Sequence, residues 1–419
     1  MRSVAYVTTA FPTLAFFIEA DVHRLIARGV RVKVFTLRSP RGRKYQPEHA
    51  PLLGVTEWLG SPLDPRSWLA LAWWTLRRPH VLLPEIARVL WASRGSLYAL
   101  SGHLGYLPAT ARIASRVERE GFDRVHGAWS HFPGTVAYLV WRLTGVPFSL
   151  SAHAGSDLYR TQAFLAEKVR AADFTAVCVA GNGRMLQRLA GEEARIACVY
   201  HGVDLARFDG RDRARAAEPL LLAVGRLHAV KGFDLVIEAV ARLAARGVAG
   251  RLVLVGDGPD RVRLEAQARE RGVADRVTFV DGMPQTELLD LYRRAWLLLM
   301  PSRVLSNGRR DGIPNVVVEA MAMGLAVVGT RAAGLEEAIA DGVDGALVPP
   351  DDAAALAAEV ERLITHPAEI DRLGATARAR IAERFDAEGN FERLLALMNG
   401  ARAAAVELPA PAVPGVERA

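Results

Sequence analysis

Leu220-Leu221-Leu222-Ala223-Val224-Gly225-Arg226-Leu227-His228-Ala229-Val230-Lys231-Gly232 is the stretch on which the fold turns. Five apolar residues closed by a glycine read as a strand buried on both faces, as in a parallel sheet. The loop behind it carries Arg226 and Lys231 and leads into a helical pattern. In a doubly wound sheet, ligands lie outside the carboxyl end of such a strand. Arg226 offers a planar fork of donors and Lys231 a mobile point charge, a pair suited to neutralising a diphosphate. Taken alone, a solvated loop explains the same residues equally well.

The pattern repeats outward from there. Arg251–Val255, Val277–Val280, Trp296–Met300 and Ala326–Thr330 read as further strands of the same series. Upstream, Ser3–Thr8, Val30–Leu37, Asp123–His126, Phe148–Ser151, Phe174–Val179 and Ile196–Tyr200 form an earlier series, with a helix over Ile18–Arg28. Strands alternating with helices imply α/β architecture with parallel sheets. The expected organisation is an N-terminal Rossmann-like domain over 1–205, a charged linker over 206–218 and a second such domain over 219–384. A crossing helix is expected near 385–398, and a disordered tail over 401–419, which is rich in Ala, Pro and Val.

Asp311-Gly312-Ile313-Pro314-Asn315-Val316-Val317-Val318-Glu319 is the second informative stretch. Pro314 suits the first turn of a helix, where a missing N–H costs nothing. A helix from about there to Met323 leaves unpaired N–H groups at its start, which favour an anion. Seven or eight residues are roughly two turns, so the spacing predicts Asp311 and Glu319 facing one ligand. Val255-Gly256-Asp257-Gly258-Pro259 ends a strand with glycines that allow close backbone approach, whether to a ligand or within a plain turn.

Composition narrows the class. The chain has 419 residues, 51% of them hydrophobic, enough for two or three domains. Cys178 and Cys198 cannot form a disulfide framework and fit a reducing, cytoplasmic setting. No apolar run is long enough to span a membrane, and no leader peptide is visible. Net charge is +7, and residues 1–210 carry 26 Lys and Arg against 16 Asp and Glu. That excess suits an anionic membrane or acidic acceptor. Nucleic acid is not expected, since no DNA- or RNA-binding signature occurs. Ser67–Ser93 holds Trp68, Trp73, Trp74 and Trp91 with Arg77, Arg78 and Arg88. Such a segment either lies on a membrane surface or packs into the N-terminal core.

The Asp311–Glu319 stretch resembles the Glu, seven residues, Glu motif of retaining GT-B glycosyltransferases of family four, with Asp at the first place. The similarity covers roughly residues 1–395 and is strongest from Tyr200 to Pro350. It implies two Rossmann-like domains facing across a cleft. It also implies that Asp311 contacts the donor sugar and Glu319 the nucleotide ribose. Gly225, Gly312, Ile313, Pro314 and Asn315 would line the donor pocket, while Arg226 and Lys231 match the family's cationic pair. Ser149-Leu150-Ser151-Ala152-His153-Ala154-Gly155-Ser156-Asp157 resembles the segment whose His, here His153, touches the transferred sugar. His126 and His131, beside Trp129, either line the acceptor side or are structural. The loop Thr8–Thr13 lacks the glycines of many relatives and resembles the exopolysaccharide and colanic-acid subgroup.

The expected activity is retaining transfer of a hexosyl group from a nucleotide diphosphate sugar, UDP-linked in preference to GDP-linked. The expected acceptor is a glycan or a polyprenyl-diphosphate-linked saccharide at the inner face of the membrane. No Asp-x-Asp pair is seen, so neither a metal nor another cofactor is expected. A sugar phosphorylase, a nucleotide-sugar epimerase and a non-catalytic sugar-nucleotide-binding protein remain as alternatives.

Overall fold

The computed structural model describes residues 1–12, 16–39, 49–61, 63–153, 156–332 and 334–401. Thr13, Ala154, Gly155 and the tail beyond Ala401 lie outside the described residues. The chain divides into two units, one of Met1–Val199 with the described residues from Phe391 onward, the other of Tyr200–Asn390.

The first unit is a seven-stranded parallel sheet. Its strands are β1 (Ser3–Thr8), β2 (Arg31–Thr36), β3 (Thr56–Trp58), β4 (Arg124–Gly127), β5 (Phe148–Ala152), β6 (Thr175–Val177) and β7 (Ile196–Cys198), in the order β3-β2-β1-β4-β5-β6-β7. The second is six-stranded, with β8 (Leu220–Val224), β9 (Arg251–Val255), β10 (Val277–Val280), β11 (Leu297–Met300), β12 (Ala326–Thr330) and β13 (Ala346–Val348), in the order β10-β9-β8-β11-β12-β13. Both orders reverse direction between the first strand of the unit and its right-hand neighbour, so each sheet has a switch point, at β1/β4 and at β8/β11. The apolar runs form these strands because both sheet faces are covered by helices. Leu221, Leu254, Leu297 and Val328 join Val236, Val240, Val360 and Leu363 in the second unit's core. Val4, Tyr6, Val32 and Val34 pack with Ile18 and Val22 in the first.

Three expectations need adjustment. β3 and β13, three residues each at sheet edges, were not foreseen. The division falls at Val199/Tyr200 rather than after residue 205, because Tyr200–Val203 is tied into the second unit. Val203 N–H donates to Phe385 O at 2.8 Å, and Tyr200 N–H to Asn390 Oδ1 at 3.2 Å. The stretch expected as a linker is also stitched down. Arg213 donates to the carbonyls of Tyr292, Gly324 and Ala295 at 3.2, 2.6 and 2.5 Å, and Ala216 N–H donates to Arg294 O at 2.9 Å. The helix expected near 385–398 runs over Ala387–Met398, and its Phe391, Leu394, Leu397 and Met398 belong to the first unit's core. Among the described residues no helix is long and apolar enough to cross a membrane.

Candidate active site

In the second unit the loops after β8 and β11 meet at the switch point. Gly232 has φ +66°, and a Cβ there would lie 2.0 Å from Pro301 O, so only glycine lets these loops touch. Gly225–Lys231 folds over a short 3₁₀ turn, Ala229–Lys231, whose start His228 caps. Lys231 points back across the sheet end, and its Nζ lies 2.9 Å from Asp311 Oδ2. Both side chains are largely but not wholly covered, which limits screening of the contact by water. Arg226 is exposed and makes no ion pair among the described residues.

The helix behind Pro314 spans Asn315–Ala322, and Pro314 itself, with φ −65° and ψ 129°, is its cap. Asp311, Gly312 and Ile313 therefore precede the helix, and Asp311 is not two helical turns from Glu319. The two-turn spacing does not apply at this point: Asp311 turns to Lys231, whereas Glu319 sits buried in the helix's second turn. Glu319 Oε1 accepts from Gln285 Nε2 at 2.7 Å, and its Oε2 accepts from the Tyr292 hydroxyl at 2.9 Å. Burial pushes the Glu319 carboxyl above its usual range, partly offset by those two hydrogen bonds. Burial and the adjacent Glu319 charge together drive the Tyr292 hydroxyl well up, so it is a committed donor. Gln285 and Tyr292 escaped the sequence reading. The only available hint was their place on an amphipathic helix, Gln285–Arg294, which usually means core packing.

The Gly256 and Gly258 turn serves its neighbours. A Cβ on Gly256, at φ +142°, would lie 2.0 Å from Gly225 O, and one on Gly258 would lie 2.3 Å from Leu227 O. Leu227 N–H donates to Asp257 O at 2.8 Å, and Asp257 Oδ2 accepts from Gly282 N–H at 2.9 Å. These glycines hold the Arg226 loop in place. Gly334 plays the same part for Gly312 and Ile313, since its Cβ would lie 2.7 Å from each of Gly312 C and Ile313 N.

In the first unit the loops after β1 and β4 also meet at their switch point. His131 Nδ1 lies 2.7 Å from Asp157 Oδ1, and its Nε2 lies 3.3 Å from Thr9 Oγ1. The Trp129 indole N–H donates to Thr8 Oγ1 at 3.2 Å. Asp157 further accepts the backbone N–H groups of Ser130, His131 and His153 at 3.2, 3.0 and 2.8 Å. Burial alone would raise its pKa, but the His131 hydrogen bond and charge, with the other donors, hold it down at about 2. Lys168 is buried against Ser130 O, His131 O and Thr135 Oγ1 at 2.6 to 3.0 Å, and loss of solvent pulls it down to about 7. His153 is buried between Phe17 and Trp129, ring centroids 4.6 and 4.8 Å away, and its Nε2–H donates to Ala128 O at 3.1 Å. Burial lowers its pKa and keeps the ring neutral. His126 hydrogen-bonds Ser149 and Ser151 at 2.9 and 3.0 Å inside the sheet, and burial lowers it to about 3, so it is structural. His131 is the histidine at the sheet end.

Lys231, Asp311 and the Glu319 cluster thus belong to one unit, and His153 with its Asp157 network to the other. Residues 22–207 match the model of Glycosyltransferase Family 4, and residues 208–380 that of Glycosyl transferases group 1. The D-inositol 3-phosphate glycosyltransferase of Acidothermus cellulolyticus is 30% identical over 93% of this chain and 86% of its own length. A putative colanic acid biosynthesis glycosyltransferase of Salmonella typhimurium is 33% identical, with 49% of this chain matching 51% of that relative. Among solved structures, sucrose-phosphate synthase of Thermosynechococcus elongatus superposes with a TM-score of 0.73 at 22% identity, covering 96% of this chain and 100% of its own. Anabaena HepE in complex with UDP-glucose gives 0.69 at 16% identity, covering 95% and 99%. The chain is a glycosyltransferase with the GT-B fold, built from two Rossmann-like domains, and belongs to glycosyltransferase family 4, the group 1 glycosyl transferases.

Proposed function

We propose that the protein transfers a hexosyl group from a nucleotide diphosphate sugar to a hydroxyl of a glycan or lipid-linked saccharide, with retention at the anomeric carbon. The 2.9 Å contact between Lys231 and Asp311 carries this reading. The bond that breaks joins the sugar's anomeric carbon to a phosphate oxygen. A cation serving the phosphate and a carboxylate serving the sugar must therefore be neighbours, as these two are. Lys231, Arg226 and the N-terminus of the Asn315–Ala322 helix stabilise the charge that grows on the leaving diphosphate. Asp311 orients the sugar, and Glu319 accepts from the ribose hydroxyls through lone pairs that Gln285 and Tyr292 leave open. Gly225 and Gly312–Asn315 supply backbone to the donor. The acceptor oxygen forms its bond to the anomeric carbon as the carbon–phosphate-oxygen bond breaks. The electron pair stays on the diphosphate, which takes the acceptor's proton.

UDP is the favoured nucleotide, in line with the UDP-glucose bound by Anabaena HepE, a protein of the same fold. The similarity to the colanic acid relative supports a place in cell-surface polysaccharide assembly. A chain with two cysteines, Cys178 and Cys198, both buried, suits the cytoplasm. Because the chain's own cations face the leaving group, turnover needs no metal. Thermal shift and turnover with UDP-, GDP- and their hexose conjugates, with and without EDTA, test this. A shift selective for one nucleotide that survives EDTA, with product of retained anomeric configuration by NMR, is the expected result. No response to any nucleotide, or inversion at the anomeric carbon, overturns it.

A further inference from the structure

The Trp-rich segment resolves into two helices, Pro65–Arg77 and Pro79–Ser93, lying between β3 and the long helix Leu97–Glu120. Each has an inward face that is fully engaged. Trp74 is completely buried and its indole N–H donates to Ala111 O and Ser115 Oγ at 3.1 and 3.0 Å. Leu82, Glu85, Val89 and Ser93 face inward on the second helix. There Glu85 Oε2 accepts from the Tyr138 hydroxyl at 2.8 Å, and Ser93 Oγ lies 2.8 Å from His103 Nδ1. Core packing therefore accounts for one face of each helix.

The other faces are apolar too. Leu69, Ala72, Trp73 and Leu76 recur at i, i+3, i+4 and i+7, and all are exposed, Leu69 at 70% and Leu76 at 84%. Leu83, Ala87 and Trp91 recur at i, i+4 and i+8, with Leu83 at 52% and Trp91 at 69% exposure. Leu97, at 84%, continues the surface onto the next helix. Among the described residues, seven of the fourteen exposed large apolar side chains fall in this one stretch of chain. Contiguous exposed apolar surface of this kind marks an interaction site.

Its charge decides the partner. Between residues 65 and 97 there are five arginines and one acid, Glu85, which faces inward. Arg77 lies 4.6 Å over the Trp73 ring and Arg94 4.1 Å over Trp91. Arg77 pairs with Glu118 and Arg88 with Glu85, while Arg66, Arg78 and Arg94 make no ion pair among the described residues. Leucine and tryptophan interleaved with uncompensated arginine fit the boundary between anionic headgroups and acyl chains.

We infer that the outward faces of Pro65–Arg77 and Pro79–Ser93 dock this protein on an anionic lipid bilayer. This names a partner for the lipid-linked acceptor reading and rests on that reading for its purpose, though not for its test. The full chain is sedimented with vesicles of phosphatidylcholine alone or mixed with phosphatidylglycerol, while tryptophan emission is recorded. Binding that requires the anionic lipid, weakens with salt and shifts emission to the blue is expected. The variant Leu76→Glu/Leu83→Glu/Trp91→Glu should bind the mixed vesicles about tenfold or more weakly, through lost apolar burial and added negative charge. Leu83→Glu alone, the mildest change, gives an intermediate loss. Circular dichroism and nucleotide thermal shift on the same samples should be unchanged, so a failed donor reading shows separately. Failure to bind the mixed vesicles while folded, equal binding by the triple variant, or a concentration-dependent dimer that the triple variant abolishes would each overturn the inference.

Discussion

The two switch points of this protein use their polar residues in opposite ways. At β1/β4, Asp157, Lys168, His131 and His153 bond to one another, to backbone and to the hydroxyls of Thr9 and Thr135, and all but His131 are buried. At β8/β11, Lys231 has one carboxylate partner, Arg226 is exposed, and only Glu319 is deeply covered. The first is a rigid frame whose charges are neutralised internally. In the reaction proposed above, the cations of the second meet the leaving diphosphate. The difference explains why histidine, which looks catalytic in sequence, is chiefly architectural in the first unit.

The sharpest way to break that contrast is Asp157→Ala. It strands four donors and a buried lysine, and should cost about 3–5 kcal/mol, measured by urea unfolding. A cost near zero would mean the frame is not a frame. Lys231→Ala should spare stability yet lower turnover about 10²-fold, as loss of one electrostatic stabiliser does. Steady-state kinetics with folded protein reads this, and a change only in unfolding would place Lys231 with the frame instead.

pH gives a third test. Burial lowers His126 from its usual value to about 3, so the unfolded chain binds a proton that the folded chain refuses between pH 6.5 and 3. Its contribution is fully present above pH 6.5 and is lost as pH falls through that window. Asp21, which loss of solvent pushes up to about 7, acts with the opposite sign, so the informative quantity is a difference between variants. In His126→Asn the drop in unfolding free energy from pH 7 to 5 should be smaller by about 2 kcal/mol. An unchanged drop would count against a neutral buried imidazole. The smallest effect is expected from Tyr292→Phe. Removing a donor to Glu319 worth about 1 kcal/mol should raise that carboxyl further. The acid-side rise in donor KM should move to higher pH, with kcat little altered. If kcat falls instead, Glu319 acts at the reacting bond rather than on the ribose.

Much of the fold was legible because parallel strands buried on both faces are continuous apolar runs, as at Leu220–Val224. Thr56–Trp58 and Ala346–Val348 were not, since three residues at a sheet edge carry no period. In the site, residue identities were easier to find than their geometry. A count of residues places Glu319 and Asp311 two helical turns apart, but Pro314 begins the helix too late for that spacing to apply. Gln285 and Tyr292 bear on Glu319 from 34 and 27 residues away, and such proximity has no local signature. The glycines at 256 and 258 declared a close approach without declaring to what; the answer was another loop.

Arg213 has a practical consequence for dissecting the molecule. Composition suggests cutting just before Pro219 to obtain the second unit alone. That cut would discard the guanidinium that meets carbonyls of Tyr292, Ala295 and Gly324, at the ends of two helices. It would also remove Tyr200, whose hydroxyl donates to Glu337 at 2.5 Å. An excised fragment starting at Pro219 should be frayed and prone to aggregate, while one spanning Tyr200–Asn390 keeps its own closing contacts.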